Sequence, residues 1–482
     1  MFGDLYTEAT VATIVVLLFH AVLAPATALH ALLYKRDPRA AFGWIAVCIL
    51  APLAGPLIYV LFGLNRVRSR ASDLAPSAMS AHLERGAVIT DPPALPDSIR
   101  SDYRRLATIG QSLSRHGLVA GNRVEPLVDG EQAYPAMLAA IDSARRSVLL
   151  SSYIFDTDGD CRPWVAALQA AKRRGVEVRV LVDGFGEYYS RPKPSRSLSR
   201  AGIPVTRFMP PRVLPPTLSL NMRNHHKILV VDNQRGFTGG MNIGNRHWVQ
   251  ASDNRHPTRD LHFELEGPIV GQLSDVFAHT WALAAGESLD LDQPEPTAAG
   301  DLWCRTLTDG PDEDLDRLTM LWSAALAQAR HTARIMTPYF LPPRELVGAL
   351  QAAALRGIEI DLILPAQSNL PVVHWATRNM LWELLIRGVR VWYQPPPFNH
   401  SKLFIIDRDY SQIGSANWDP RSLRLNFELQ VEVYGRAFGD RMVAHFDAIK
   451  AASRAISLEE VDGRPFVERL RDATCWLFSP YL

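Results

Sequence analysis

The feature that most constrains this chain is a stretch that occurs twice. NHHKILVVDNQRGFTGGMN, from Asn224 to Asn242, returns as NHSKLFIIDRDYSQIGSAN, from Asn399 to Asn417, with its polar residues at the same offsets. In the first copy His225 and Lys227 alternate, so a strand places both side chains on one face. An apolar run leads to Asp232, and Gly239, Gly240 and Asn242 close the unit. His400, Lys402, Asp407, Gly414, Ser415 and Asn417 repeat that order. A single histidine and lysine on a strand is an ordinary structural pair, but two matching sets point to shared chemistry.

The repetition extends beyond these motifs. AYPAMLAAIDSARRSVLLSSYIF (Ala133 to Phe155) and LTMLWSAALAQARHTARIMTPYF (Leu318 to Phe340) each read as a helix followed by a strand. AKRRGVEVRVLVDG and ALRGIEIDLILP then each give a helix end, a turn glycine and an alternating strand, and RAGIPVTRF is matched by RGVRVWYQP. Amphipathic helices alternating with short β-branched runs predict an α/β fold. Its two halves, 109–298 and 299–482, each form a mixed sheet flanked by helices.

The amino-terminal end differs. Ala9 to Tyr34 carries no formal charge and is long enough to cross a bilayer as a helix, and Ala40 to Gly63 is a second apolar run after the short turn KRDPR. Together they predict a membrane hairpin over 1–70, followed by a polar connector over 71–108. A cleaved signal peptide is disfavoured by the second run and by the lack of a small-residue cleavage site. Pro52, Gly55 and Pro56 interrupt that run, which leaves a bent or re-entrant segment open. Arg66, Arg68 and Arg70 favour a catalytic region on the inner face, whereas Lys35, Arg36 and Arg39 favour the opposite. Of these, the cytoplasmic side is the expectation carried forward.

A formal net charge of +1 gives no reason to expect nucleic acid, and the four cysteines show no CxxC pair or zinc-ligand spacing.

Both repeated segments have the form H-x-K-x-x-x-x-D followed by G-[GS]-x-N, and they resemble the paired motifs of the phospholipase D superfamily. The resemblance runs from about Ile109 to Leu470. AGPLIYVLFGLNR, NMRNHHKILVVD and GSANWDPRSLRLNFE are similar to the membrane region and the two catalytic segments of the bacterial cardiolipin synthases. It implies duplicated phospholipase D-like domains forming one active site about an approximate two-fold axis. The implied substrates are phosphatidylglycerol and cardiolipin in a bacterial inner membrane, with no metal or cofactor.

Displacement at a phosphodiester needs a nucleophile on one side of phosphorus and a proton donor for the leaving oxygen on the other. The superfamily pattern assigns His225 as nucleophile and His400 as general acid, although the symmetry of the motifs leaves the reverse order open. Lys227 and Lys402 would hold the nonbridging oxygens, with Asn242, Ser415 and Asn417 on the substrate. Asp232 and Asp407 complete the motifs, and support of a turn is as good a reading for them as catalysis. Asp260 in TRDLHFELEGP and Glu428 in LNFELQVEV resemble the carboxylates that orient the histidines, with the pairing of carboxylate to ring left open. In a regular strand His226 faces away from His225.

The loops FGEYYSRP, FMPPRVLPPTLSL and WYQPPPF are candidates for the mouth of the site, and the tail CWLFSPYL for packing on the catalytic region or touching the membrane. Transfer to water, use of phosphatidylethanolamine, a nuclease and a silent membrane scaffold are the competing readings. The two complete histidine–lysine sets weigh against the scaffold.

Overall fold

The computed structural model describes residues 2–35, 38–63, 103–211, 222–289, 293–311 and 316–479. Most of the expected connector, Arg66, Arg68 and Arg70, Arg36, and most of the loop FMPPRVLPPTLSL lie outside these residues. The chain divides into two compact units, with the boundary after Asp73.

In the amino-terminal unit a helix runs from Phe2 to Tyr34, and its Leu17–Tyr34 portion is apolar and long enough to cross a membrane. A second helix, Pro38–Leu50, folds back against it. The His20 ring lies 3.0 Å from the Ile49 carbonyl, and Ala31, Cys48 and Tyr59 close a small core. At 13 residues this helix is about 20 Å long, short of the roughly 30 Å hydrocarbon core. The chain breaks at Ala51–Leu53, around Pro52, then resumes as a short helix, Ala54–Ile58, and a π-turn, Tyr59–Gly63. Of the two apolar runs, the second is thus a helix followed by a broken stretch, the bent form that the sequence left open, because a proline supplies no donor and clashes with the preceding turn.

The larger unit is organised by a fifteen-stranded sheet. The first half contributes β1 (Val119–Val128), β2 (Ser147–Ser152), β3 (Glu177–Asp183), β4 (Val205–Phe208), β5 (Ile228–Val231) and β6 (Arg235–Gly239). After a short strand β7 (Thr258–Arg259) it adds β8 (Leu261–Glu266). The second half contributes β9 (Leu302–Asp309), β10 (Thr332–Met336), β11 (Glu359–Pro365) and β12 (Arg390–Gln394). After β13 (Phe398–Asn399) it adds β14 (Leu403–Ile406), β15 (Tyr410–Gly414), β16 (Glu428–Tyr434) and β17 (Arg454–Ile456).

Read outward from the centre, the first half runs β1, β8, β6, β5, β2, β3, β4 and the second runs β9, β16, β15, β14, β10, β11, β12, with β17 added at the edge. The halves are thus the same mixed sheet, parallel across β2–β3–β4 and antiparallel across β2–β5–β6–β8, joined where β1 pairs with β9. Strands such as ILVV and LFII are apolar at every position because helices cover both faces of the sheet.

The end of the expected connector is corrected. Helix Tyr103–Leu113 belongs to the core of the second half, where Tyr103, Leu106 and Ala107 are buried against Leu318, Trp322 and Tyr410. Fully buried Arg305 ties it down, donating to the Ala107 carbonyl at 3.0 Å and pairing with Glu432 at 2.5 Å. Gly110 faces that guanidinium, and a Cβ there would lie 1.7 Å from Nη2. We therefore expect Gly110→Ala to destabilise the larger unit by about 2 kcal/mol or more, read as a lower denaturant midpoint with an unchanged slope.

Candidate active site

The two histidine–lysine motifs precede equivalent central strands, β5 and β14, and the chain brings them together by pairing across the halves. Asn224 bridges to Phe427, and β13 runs parallel to β7. The His225 N–H donates to the Phe427 carbonyl at 2.9 Å, and its ring Nδ1 donates at 2.9 Å to the next residue, Glu428. His400 repeats this with the other half: its N–H donates to Arg259 at 2.8 Å and its Nδ1 to Asp260 at 2.9 Å. Each histidine is held at two points by the half to which it does not belong. With Nδ1 donating to a carboxylate, the lone pair of each ring lies on Nε2.

Burial keeps both rings neutral. It lowers the His225 pKa against the pull of Glu428. It lowers that of His400 further, helped by Lys402, Lys227 and His225, so the four groups act on one another as one site. Glu428 stays below the usual carboxylate range: burial pushes it up, and His225, Lys227 and a hydrogen bond from Ser415 outweigh that. Lys227 and Lys402 are brought down by burial to about 7 and about 8. Their ammonium groups donate to the carbonyls of His225, at 2.7 Å, and His400, at 2.5 Å. The 3.0 Å approach of Lys402 to the His400 Nδ1 is proximity rather than a bond, since that nitrogen already donates to Asp260.

Several expected site residues have other work. Asp232 and Asp407 lie at the far ends of β5 and β14 from the histidines. Asp232 accepts from the backbone N–H groups of Arg145, Arg146 and Ser147, and Asp407 from His331, Thr332 and the Tyr103 hydroxyl. This is the supporting role that the sequence held open beside catalysis: both adopt a left-handed backbone conformation and hold the start of a neighbouring strand. Ser415 is fully buried and donates to Glu428, so it braces an orienting carboxylate instead of substrate. In the first copy Gly240 takes this place because a Cβ would lie 2.2 Å from Asp260 Oδ1.

The side chain of Asn242 accepts from the Ile154 N–H at 3.2 Å, and that of Asn417 donates to Ser422 at 3.1 Å. Both are buried, and each pins a loop beside the site. His226 turns away from His225 to within 3.4 Å of Thr280, where burial lowers it to about 4.

Sequence reasoning missed two pairs. Tyr153 lies edge-on to His225 at 5.3 Å and Tyr339 to His400 at 6.1 Å; they follow β2 and β10 in SYIF and PYF, a similarity that could have marked them. Arg246 and Arg421 each follow the motif asparagine by four residues. Arg246 depresses His400 and Arg421 acts on Tyr153, so each again reaches the opposite half.

The family model described as cardiolipin synthase, phospholipase D-like domain, matches residues 137–281 and 323–450, and that of a phospholipase D-nuclease N-terminal region matches 11–63. Cardiolipin synthase A of Pseudomonas putida KT2440 is 30% identical over 469 residues, covering 96% of each chain. Major cardiolipin synthase ClsA of Bacillus subtilis strain 168 is 28% identical over 457 residues, covering 93% of this chain and 95% of its own. Among solved structures, phosphatidylserine synthase of Haemophilus influenzae Rd KW20 superposes with a TM-score of 0.60 at 15% identity, covering 78% of this chain and 100% of that one, a likeness of fold.

Removing either orienting carboxylate should free a ring without unfolding the sheet. Glu428→Gln and Asp260→Asn are each expected to lower turnover by roughly 10²- to 10⁴-fold with circular dichroism unchanged. The lysines supply positive charge below their pKa values and lose it above them. Affinity for a short phosphodiester, whose own charge is constant over this range, should therefore fall as pH rises through about 7 to about 8, measured by calorimetry.

Proposed function

This chain belongs to the cardiolipin synthase family of phospholipase D-like proteins, and on that premise we propose that it transfers a phosphatidyl group from one phosphatidylglycerol to another, forming cardiolipin and glycerol. The observation that carries the reading is the crosswise clamp, which leaves Nε2 of both His225 and His400 unoccupied within one site.

In the first step His225 Nε2 attacks phosphorus, the bond to the glycerol oxygen breaks, and that oxygen takes a proton from His400. Entry of an anionic phosphodiester raises the basicity of His400, which provides that proton at neutral pH. The resulting phosphatidyl-histidine is attacked by a hydroxyl of the second phosphatidylglycerol. His400 removes the hydroxyl proton, and the phosphorus–nitrogen bond breaks to restore neutral His225. One phosphodiester replaces another, so no external energy source enters the balance. Lys227, Lys402, Arg246 and Arg421 supply the positive field for charge that builds on the nonbridging oxygens. The apolar helix Leu17–Tyr34 anchors the enzyme in the cell membrane, with the catalytic unit on the cytoplasmic side.

The test is full-length protein in mild detergent with phosphatidylglycerol as the only phospholipid. Cardiolipin and glycerol in equal amounts, lost in His225→Ala, is the expected result by mass spectrometry. Phosphatidic acid without cardiolipin would make water the acceptor and overturn the transfer.

A further inference from the structure

The carboxy-terminal helix, Phe466–Leu477, has its polarity inverted relative to a helix packed on a protein core. On a turn of 3.6 residues Phe466, Leu470 and Leu477 lie along one line, with Val467 and Phe478 beside it, and these side chains are between 55% and 76% exposed. The charged face is the one turned inward. Asp472 is fully buried, pairing with Arg464, with Arg471 at 2.7 Å and with Arg378 at 3.4 Å. Arg378, on helix Pro371–Leu385, also bonds Glu468 at 2.7 Å, and the Arg471 guanidinium lies 4.4 Å from the Trp375 ring. Ionic contacts thus fix the helix and hold its apolar stripe outward.

We propose that this stripe is a bilayer-docking surface that seats the catalytic mouth on anionic lipid, an inference that rests on the phospholipid reading above. Three observations select the occupant. The chain carries a helix apolar and long enough to cross a membrane, so the larger unit is tethered where lipid is the most concentrated apolar phase. The helix that carries the stripe packs on helix Pro371–Leu385, and the chain entering that partner helix reaches the site: Asn369 accepts from the Tyr339 hydroxyl at 2.8 Å, and the Tyr339 ring meets His400.

The third observation is charge. At the equivalent place in the first half, between β3 and β4, lies an open cleft of about 560 Å³ lined by Lys193, Arg196, Arg200 and Arg207 against a single carboxylate, Glu187, which approaches Lys193 at 3.9 Å and Arg207 at 3.6 Å and leaves the lining net positive. Exposed Tyr188 and Tyr189 border it. Lys193 lies 3.4 Å from the Tyr188 ring, and Tyr189 contacts Tyr153, which meets His225. An exposed apolar stripe in one half, with cations and exposed tyrosines at the corresponding place in the other, fits a surface of anionic headgroups over acyl chains.

The experiment uses the full-length protein in vesicles of phosphatidylglycerol and phosphatidylethanolamine, with a single fluorophore attached at Leu470→Cys in a Cys475→Ser background. Quenching by lipids brominated on their acyl chains, with shielding from iodide, is expected. Iodide access without bromolipid quenching would overturn the proposal, as would shielding from both with cross-linking to a second copy. This depth readout needs no turnover, so it stands or fails apart from the transfer reaction.

A second measurement compares substrates. Phe466→Ser, Leu470→Ser and Leu477→Ser combined should raise KM for bilayer phosphatidylglycerol by roughly tenfold or more and leave turnover of a monomeric short-chain phosphatidylglycerol unchanged. Equal loss on both substrates would make the helix a support of the catalytic fold and overturn the docking role.

Discussion

The site depends on one interaction made twice: a carboxylate from one half holding the Nδ1 of a histidine from the other. Everything around it serves that exchange. Backbone pairing at Phe427 and Arg259 sets the height of each ring, so the following residue, Glu428 or Asp260, meets Nδ1 without further adjustment. Neither half therefore contains a complete catalytic histidine. This gives a physical reason for the duplication, beyond the need for two imidazoles.

The symmetry is broken where side-chain length demands it. Glutamate in the second half reaches its histidine and leaves room for Ser415 to brace it, whereas the shorter aspartate in the first half occupies the space that a Cβ at position 240 would need. The two orienting carboxylates are consequently unlike neighbours of unlike rings. Both lysines lower both rings, but at His225 Glu428 opposes them, whereas His400 is taken further down. That difference favours giving the two histidines separate roles.

Much of this was legible in the sequence, and the limits have physical causes. The repeated skeleton named the histidines and the lysines, because chemistry that needs fixed spacing on a strand leaves a fixed spacing in the chain, whereas Asp260 and Glu428 came from the family resemblance, since they stand at unequal distances from the two motifs. It could not say that Asp260 serves His400 and Glu428 serves His225, since that exchange is a property of pairing between distant segments. The motif order also drew Asp232 and Asp407 toward catalysis, although a strand carries its first and last residues to opposite ends of a sheet. Arg246 and Arg421 were visible as a repeated offset. Helix Tyr103–Leu113 was hidden for another reason: its partners lie in the far half, and its short apolar stripe follows a polar connector.

The pairing of β1 with β9 has a mechanical consequence. A pair of domains that closes over substrate needs a flexible seam, but here the seam is itself a strand pairing, with one bulge, inside a single sheet. The two histidines therefore face each other across a paired sheet and not across a hinge. In the proposed transfer the departing glycerol and the incoming lipid do the travelling, while the reacting phosphorus shifts only the short distance between one bond and the next.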